Sequence, residues 1–284
     1  MRIITYEDAG RVHPGLVKDG IVLNLETVGF RSVIELIEAG PQGLAKAKQL
    51  ASDSPPTAQR ALPDVKLHAP IPKPGKLICV GLNYLDHAKE TGAEIPKVPT
   101  IFNKFNTAVI GPGENIVLPK ASKAPDFEAE FAFVIGRGGR YIAKDDWKNH
   151  VFGYTIVNDV TARDYQRATT QWLMGKTFDT FAPMGPWIVT ADEIADPHNL
   201  DIELEIDGET LQDSNTRELI FKVPDLIAFL SSVFTLEPGD VVSTGTPSGV
   251  GFARKPPRYL RAGEEITVRI PAIGELKNRV VAEA

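Results

Sequence analysis

Residues 126–136 read Asp-Phe-Glu-Ala-Glu-Phe-Ala-Phe-Val-Ile-Gly. Along an extended chain successive side chains point to opposite faces, so Phe127, Ala129, Phe131 and Phe133 share one face and Glu128, Glu130, Ala132 and Val134 the other. A solvated face would stay polar, yet Ala132 and Val134 follow the two glutamates, so this face becomes buried further along. Two like charges beside an apolar face need compensation, and a hard divalent cation supplies it. Taken alone, Glu-x-Glu also describes the wet end of an amphipathic strand, and the surrounding chain has to decide.

Working outward, GYTIVNDVTARD (153–164) carries an apolar strand to Asn158 and Asp159 and then turns into helix-like TARDYQR, which puts Asp159 at a strand end. Three carboxylates, Glu128, Glu130 and Asp159, with waters or substrate oxygens completing the shell, suit Mg2+ or Mn2+. Further strands are expected at KLICVG, TIFNKF, NIVLP, PWIVT, DIELEIDGETLQ, DVVSTG, EITVRI and RVVAE, with Asp207-Gly208 as a hairpin turn. VPDLIAFLSSVF from Val223 is a long helix, apolar on most of its surface, as a helix covered by sheet would be. GRGGR (136–140) lacks the helix of a dinucleotide fingerprint and reads as a hairpin turn.

Residues 1–70 form a small α/β unit, with strands RIITY and GIVLNL and the helix RSVIELIEAG ended by Gly40. The stretch ASDSPPTAQRALP (51–63) reads as a surface connection. The boundary falls near residue 70, leaving residues 71–284 as the catalytic domain. The fold class expected is α+β, dominated by strands.

The 284 residues are 43% hydrophobic with a net charge of -6, values of a folded protein with a sizeable core. No basic run offers the clustered Lys and Arg that a nucleic-acid partner requires. No apolar run approaches the roughly 18 residues of a membrane span, and the charged start MRIITYEDAGR does not build a signal peptide. A cytoplasmic location is the default expectation. Cys79 is the only cysteine, so a multi-thiolate zinc site is excluded, and the five histidines are too scattered for a histidine-based one. Carboxylates remain as ligands.

Several other residues can carry chemistry. NYLDHAKETG (83–92) is a short helix with Asn83 as cap and Gly92 as stop, setting His87 and Glu90 one turn apart, where a carboxylate can orient an imidazole as general base. On an exposed helix the same spacing is a solvated pair. Lys176 lies in an uncharged segment, LMGKTFDTFAPMGP, and can meet an anion, whereas Lys104 in IFNKF reads as a snorkelling surface lysine that could also contact substrate. TGTPSGVG (244–251) is a glycine-rich turn whose amides and Thr246 hydroxyl can hold a carboxylate. Arg163, Arg217 and Arg254 are contacts for a polar substrate tail or else surface ion pairs.

In order and spacing, NYLDHAKE, DFEAEFAFVIG, NDVTARDYQ, GKTFDTFAPMGPW and PGDVVSTGTPSGVG resemble the fumarylacetoacetate hydrolase family over residues 70–281. The resemblance implies a mixed β-sandwich roll, a homodimer, and Glu128, Glu130 and Asp159 as ligands of one Mg2+ or Mn2+ per subunit. It implies a small 2-oxo acid as substrate, with Lys176 and Gln166 at the substrate or developing enolate and Thr246 at its carboxylate. His87 and Glu90 match the family's dyad on a mobile lid. Within the family, GKTFDTFAPMGPWIVTADEI and DSNTRELIFKVPDLIAFLSS look most like members that cleave acylpyruvates (acylpyruvases) or 2,4-dioxo-3-deoxy sugar acids. Hydrolysis of a C–C bond to pyruvate and a carboxylic acid is therefore the favoured activity, with oxaloacetate decarboxylation and isomerisation or tautomerisation as alternatives on the same site. A catalytically silent metal-binding dimer is the alternative of another class.

Overall fold

The computed structural model describes residues 1–284. Two sheets carry the fold. The larger runs from edge to edge through Gln59–Ala61, Ile21–Asn24, Arg11–Lys18, Arg2–Asp8, Ala182–Thr190, Val151–Asn158, Ala129–Ile135, Val241–Ser243, Leu77–Gly81 and Thr100–Asn103. Its neighbours are antiparallel except Val241–Ser243 beside Leu77–Gly81 and the short Val109–Ile110 beside Ala182–Thr190, which makes it mixed. The smaller sheet orders Glu209–Asn215, Asp201–Ile206, Glu265–Ile270, Gly274–Ala282 and Ile116–Leu118. The chain is strand-dominated α+β, as its sequence leads one to expect.

The alternation in residues 126–136 organises both cores. Phe127, Ala129, Phe131, Phe133 and Ile135 pack with Ile202, Leu204, Ile266 and Val268 of the smaller sheet. Ala132 and Val134, on the opposite face, pack with Leu25, Phe30, Leu36, Ile37 and Leu50 from the first fifty residues. Burying both faces of one strand makes it a fixed rail, and the glutamates sit where the second face runs out. The N-terminal strands belong to the same sheet: Arg2 and Ile3 pair with Val189 and Ile188.

Four local expectations need correction. Gly40 does not finish the helical region. Helix Val33–Glu38 ends before it, Gly40 turns the chain with φ 55°, and a second helix, Gly40–Asp53, follows. That helix buries only Gly43, Ala47 and Leu50, a stripe too narrow to stand out as periodicity, and it runs into the stretch expected to be a connection. GRGGR does not close a tight hairpin; Gly139 exchanges backbone hydrogen bonds with Leu236, and the chain takes residues 136–150 to pass between two paired strands. Helix Val223–Val233 buries Val223, Leu226, Ile227 and Leu230 while Val233 stays 63% exposed, so it is covered on one side only. Helix Leu85–Thr91 stops at Gly92 as expected, but Tyr84 is its N-cap; the Asn83 side chain instead donates to the Phe221 and Thr244 carbonyls. No helix is long and apolar enough to cross a membrane.

Candidate active site

Strand register brings the three carboxylates together. Ala129 pairs with Asn158, Glu130 with Val157, and the Asp159 amide donates to the Glu128 carbonyl at 2.9 Å. As a result, ligand oxygens of Glu128, Glu130 and Asp159 all lie within 4.8 Å of one another, and all three residues are buried. Buried charge needs partners. Lys176 Nζ donates to Glu128 Oε2 and Asp159 Oδ2, both at 2.7 Å, and Lys104 donates to Asp159 Oδ1 and to the Val160 carbonyl. Arg163 Nε donates to Asp126 Oδ2 at 2.8 Å; its Nη2 lies 2.6 Å from Glu128 Oε1 without hydrogen-bond alignment, a contact of charges alone.

These contacts set the protonation states. Burial alone would raise the Glu128 carboxyl, but Lys176 and then Arg163 outweigh it and pull it down to about 2. Burial likewise works against the charge of Lys176, yet Asp159 and Glu128 hold its ammonium above the ordinary lysine value. Glu130 is pushed the other way: burial, then the neighbouring Asp159 and Glu128 charges, lift its carboxyl well above the usual range. Ser243 Oγ and the Gly245 amide both donate to Glu130 Oε2, at 2.5 and 3.0 Å, and no protein group engages Oε1.

A hard divalent cation fits this arrangement. The buried carboxylates Asp126, Glu128, Glu130 and Asp159 face only three buried cations, Lys104, Arg163 and Lys176, so with all ionised one negative charge is in excess. Glu130 is the one of the four that no lysine or arginine pairs with. Only oxygen donors are offered, the preference of Mg2+ or Mn2+.

Glu128 and Glu130 line a cavity of about 330 Å³ together with, among others, His87, Gln166, Lys176, Thr246, Trp172 and Phe252, at the small end for ligand pockets. His87 Nδ1 and Glu90 Oε2 are 3.0 Å apart. An ionised carboxylate can only accept, so Nδ1 carries a hydrogen, and in the neutral imidazole Nε2 then keeps its lone pair. Glu90 Oε1 accepts from the Gly249 amide at 2.8 Å, and Asp86 Oδ2 accepts from the Ser214 hydroxyl at 2.6 Å, which ties the short helix to the rim opposite. Gln166 accepts from Arg163 Nη1 at 3.0 Å.

The structure thus gathers Glu128, Glu130, Lys176, Arg163, His87, Gln166 and Thr246 around one cavity, with Asp159 fully buried beside the two glutamates. It corrects Lys104: this side chain is not snorkelling but 2% exposed, spent on Asp159 and Val160 behind the carboxylates, and it does not line the cavity. Arg217 and Arg254 lie outside the cavity lining, bonded to Asn199 and to the Gly249 and Leu211 carbonyls respectively, and neither is in an ion pair.

Residues that the sequence did not single out complete the site. Asp126 accepts from Arg163 and from the Gly251 and Phe252 amides. Gln212 accepts from the Ala129 amide and donates to Thr246 Oγ1 and the Pro247 carbonyl, leaving the Thr246 hydroxyl free to donate elsewhere. A Cβ on Gly251 would lie 1.9 Å from the Arg258 carbonyl and 2.4 Å from Asp126 Oδ1, so this close approach requires glycine. Asp126 lies in the decisive stretch itself and was detectable there as a third acid; nothing local marks Gln212.

Residues 76–281 match the family described as Fumarylacetoacetate (FAA) hydrolase C-terminal. The human protein named oxaloacetate tautomerase FAHD2A, mitochondrial, is 42% identical over 99% of this chain and 92% of its own. The oxaloacetate tautomerase YisK of Bacillus subtilis (strain 168) is 44% identical over 91% and 89%. Among solved structures, maleylpyruvate hydrolase from Sphingobium sp. SYK-6 in complex with manganese (II) ion and pyruvate superposes with a TM-score of 0.83 at 33% identity, covering 100% of both chains.

Proposed function

The chain belongs to the fumarylacetoacetate hydrolase family, and on that premise we propose that it is a metal-dependent tautomerase of oxaloacetate or a close 2-oxo acid. The observation that carries this reading is that one small cavity is lined both by Glu128 and Glu130, two members of a carboxylate trio fit for a divalent ion, and by a glutamate-oriented histidine. The names of the human and Bacillus relatives support oxaloacetate in particular.

A divalent cation held by Glu128, Glu130 and Asp159 would supply positive charge that polarises a 2-oxo group and its carboxylate. The chain's own residues then do the rest. In the direction from keto to enol, His87 Nε2 takes a proton from C3, the C–H electron pair forms the C2–C3 double bond, and the carbonyl π pair moves onto oxygen. The His87 imidazolium then returns that proton to the substrate oxygen, through a water if needed, which completes the enol and regenerates the neutral base, and the reverse sequence returns the ketone. Lys176, charged throughout, lies beside Glu128 and Asp159, where it favours negative charge developing on the substrate oxygen. Thr246, with its oxygen already accepting from Gln212, donates its hydroxyl to the substrate carboxylate. Glu90 holds the imidazole tautomer that makes Nε2 a base.

Hydrolysis of a C–C bond, the activity favoured from the sequence, is the second reading. The likeness to maleylpyruvate hydrolase supports it, since the same histidine could deprotonate a water. One experiment separates them: metal-loaded protein is given oxaloacetate enol and, separately, maleylpyruvate and a simple acylpyruvate. Enol loss without pyruvate release supports the tautomerase; pyruvate released with a matching acid from the other substrates, at rates above enol conversion, supports the hydrolase. The expected homodimer is compatible with either reading, and light scattering tests it; the expected cytoplasmic location stands against the word mitochondrial in the human relative's name.

A further inference from the structure

Of the lysines and arginines lining the cavity, Arg163 and Lys176 are matched to Asp126, Glu128 and Asp159. Arg167, one helical turn beyond Arg163, is the exception. It lines the same cavity, is exposed, and has neither an ion pair nor a side-chain hydrogen bond. Its guanidinium is nevertheless placed: Cζ lies 4.4 Å from the centroid of the Phe252 ring, the same distance as Arg163 Cζ. The Phe252 ring meets His87 edge-on at 6.2 Å, and the Phe252 amide is fixed by Asp126. A guanidinium lying over an aromatic ring keeps its N–H edge free, and that edge matches a carboxylate in two parallel hydrogen bonds.

We propose that Arg167 recognises a second carboxylate at the far end of the substrate, so that the site prefers 2-oxo dicarboxylates to acylpyruvates with uncharged tails. This rests on the reading of the cavity as a 2-oxo acid site. The trio and Thr246 address the 2-oxo carboxylate end, Lys176 the oxygen that gains charge, and an unpaired cation remains for the other end. A neutral tail would leave Arg167 in water and gain nothing from it, whereas a carboxylate gains a charge-assisted contact on an aromatic support.

The test uses full-length Mn2+-loaded protein and follows exchange of the C3 protons of oxaloacetate and of pyruvate into D2O by NMR. In Arg167→Gln the ratio of kcat/KM for oxaloacetate to that for pyruvate should fall about tenfold, the lower end for a charged hydrogen bond because the group is exposed. The loss should appear mainly in KM, and Arg167→Lys should recover part of it. An unchanged ratio in Arg167→Gln overturns the assignment while leaving the tautomerase intact. Should wild type catalyse neither exchange, the tautomerase reading fails and calorimetric binding decides for Arg167. A preference for oxaloacetate over pyruvate that Arg167→Gln abolishes supports it, and binding that the variant leaves unaltered refutes it.

Discussion

Replacing Lys104 by methionine tests the charge arrangement behind the cavity. Methionine keeps most of the volume and removes the ammonium, leaving Asp159 with Lys176 alone and the Val160 carbonyl without its donor. Both partners of this ion pair are fully buried. Removing one member of a buried pair typically costs about 3–5 kcal/mol, because the other charge stays behind uncompensated. At roughly 2–4 °C per kcal/mol for a chain of about this size, the metal-free protein should melt ~6–20 °C lower. The same change raises the negative excess of the site, so a divalent cation should bind the variant more tightly and stabilise it more than wild type. Differential scanning calorimetry with EDTA and with saturating Mn2+ reads both effects. A metal-free Tm within 2 °C of wild type, or a metal-induced rise no larger than wild type's, would refute the reasoning.

Three further outcomes follow from the same contacts. Glu130→Gln removes the carboxyl that lacks a cation, so the metal-free protein should be as stable as wild type or more so, while the Tm rise on adding Mn2+ disappears; a retained rise contradicts the ligand role. Glu128 titrates lower in the folded chain than its ordinary value of 4.5, at about 2. Its contribution is therefore complete above pH 4.5 and lost as pH falls towards 2, on the order of 3 kcal/mol; urea midpoints between pH 5 and 2.5 should slope less in Glu128→Gln than in wild type. Gln212→Ala leaves the buried Ala129 amide without its acceptor, which costs about 1–3 kcal/mol, and frees the Thr246 hydroxyl to rotate. The variant should show a KM raised about tenfold with kcat changed less, and equal losses in both would argue that Thr246 acts elsewhere.

How much of this was legible in the sequence varies with the range of the cause. The two faces of residues 126–136 and the end of strand Val151–Asn158 are local, set by period-2 alternation and a strand stop, so the trio could be proposed from them. Their meeting depends on register between the two strands, which the shared burial of Glu128 and Glu130 only hints at. Lys104 read as a surface residue because a lone lysine among apolar residues ordinarily snorkels; it lies just past strand Thr100–Asn103, and its burial comes from Asp159 and Val160, more than fifty residues away. Gln212 sits in a hairpin strand between buried Leu211 and exposed Asp213, and only its contacts with the Ala129 amide and the 246–248 loop give it a role. Arg167 reads as an ordinary helix-end arginine until Phe252 is placed beside it. The helix Gly40–Asp53 escaped because small residues form its buried stripe.

The most direct test of the central claim is the rate of oxaloacetate enol conversion by Mn2+-loaded wild type, by the same protein in EDTA, and by His87→Asn. The account predicts catalysis well above the uncatalysed rate that EDTA abolishes, and that His87→Asn lowers at least a hundredfold while it still binds Mn2+. Conversion at the wild-type rate in His87→Asn, or undiminished in EDTA, would contradict it.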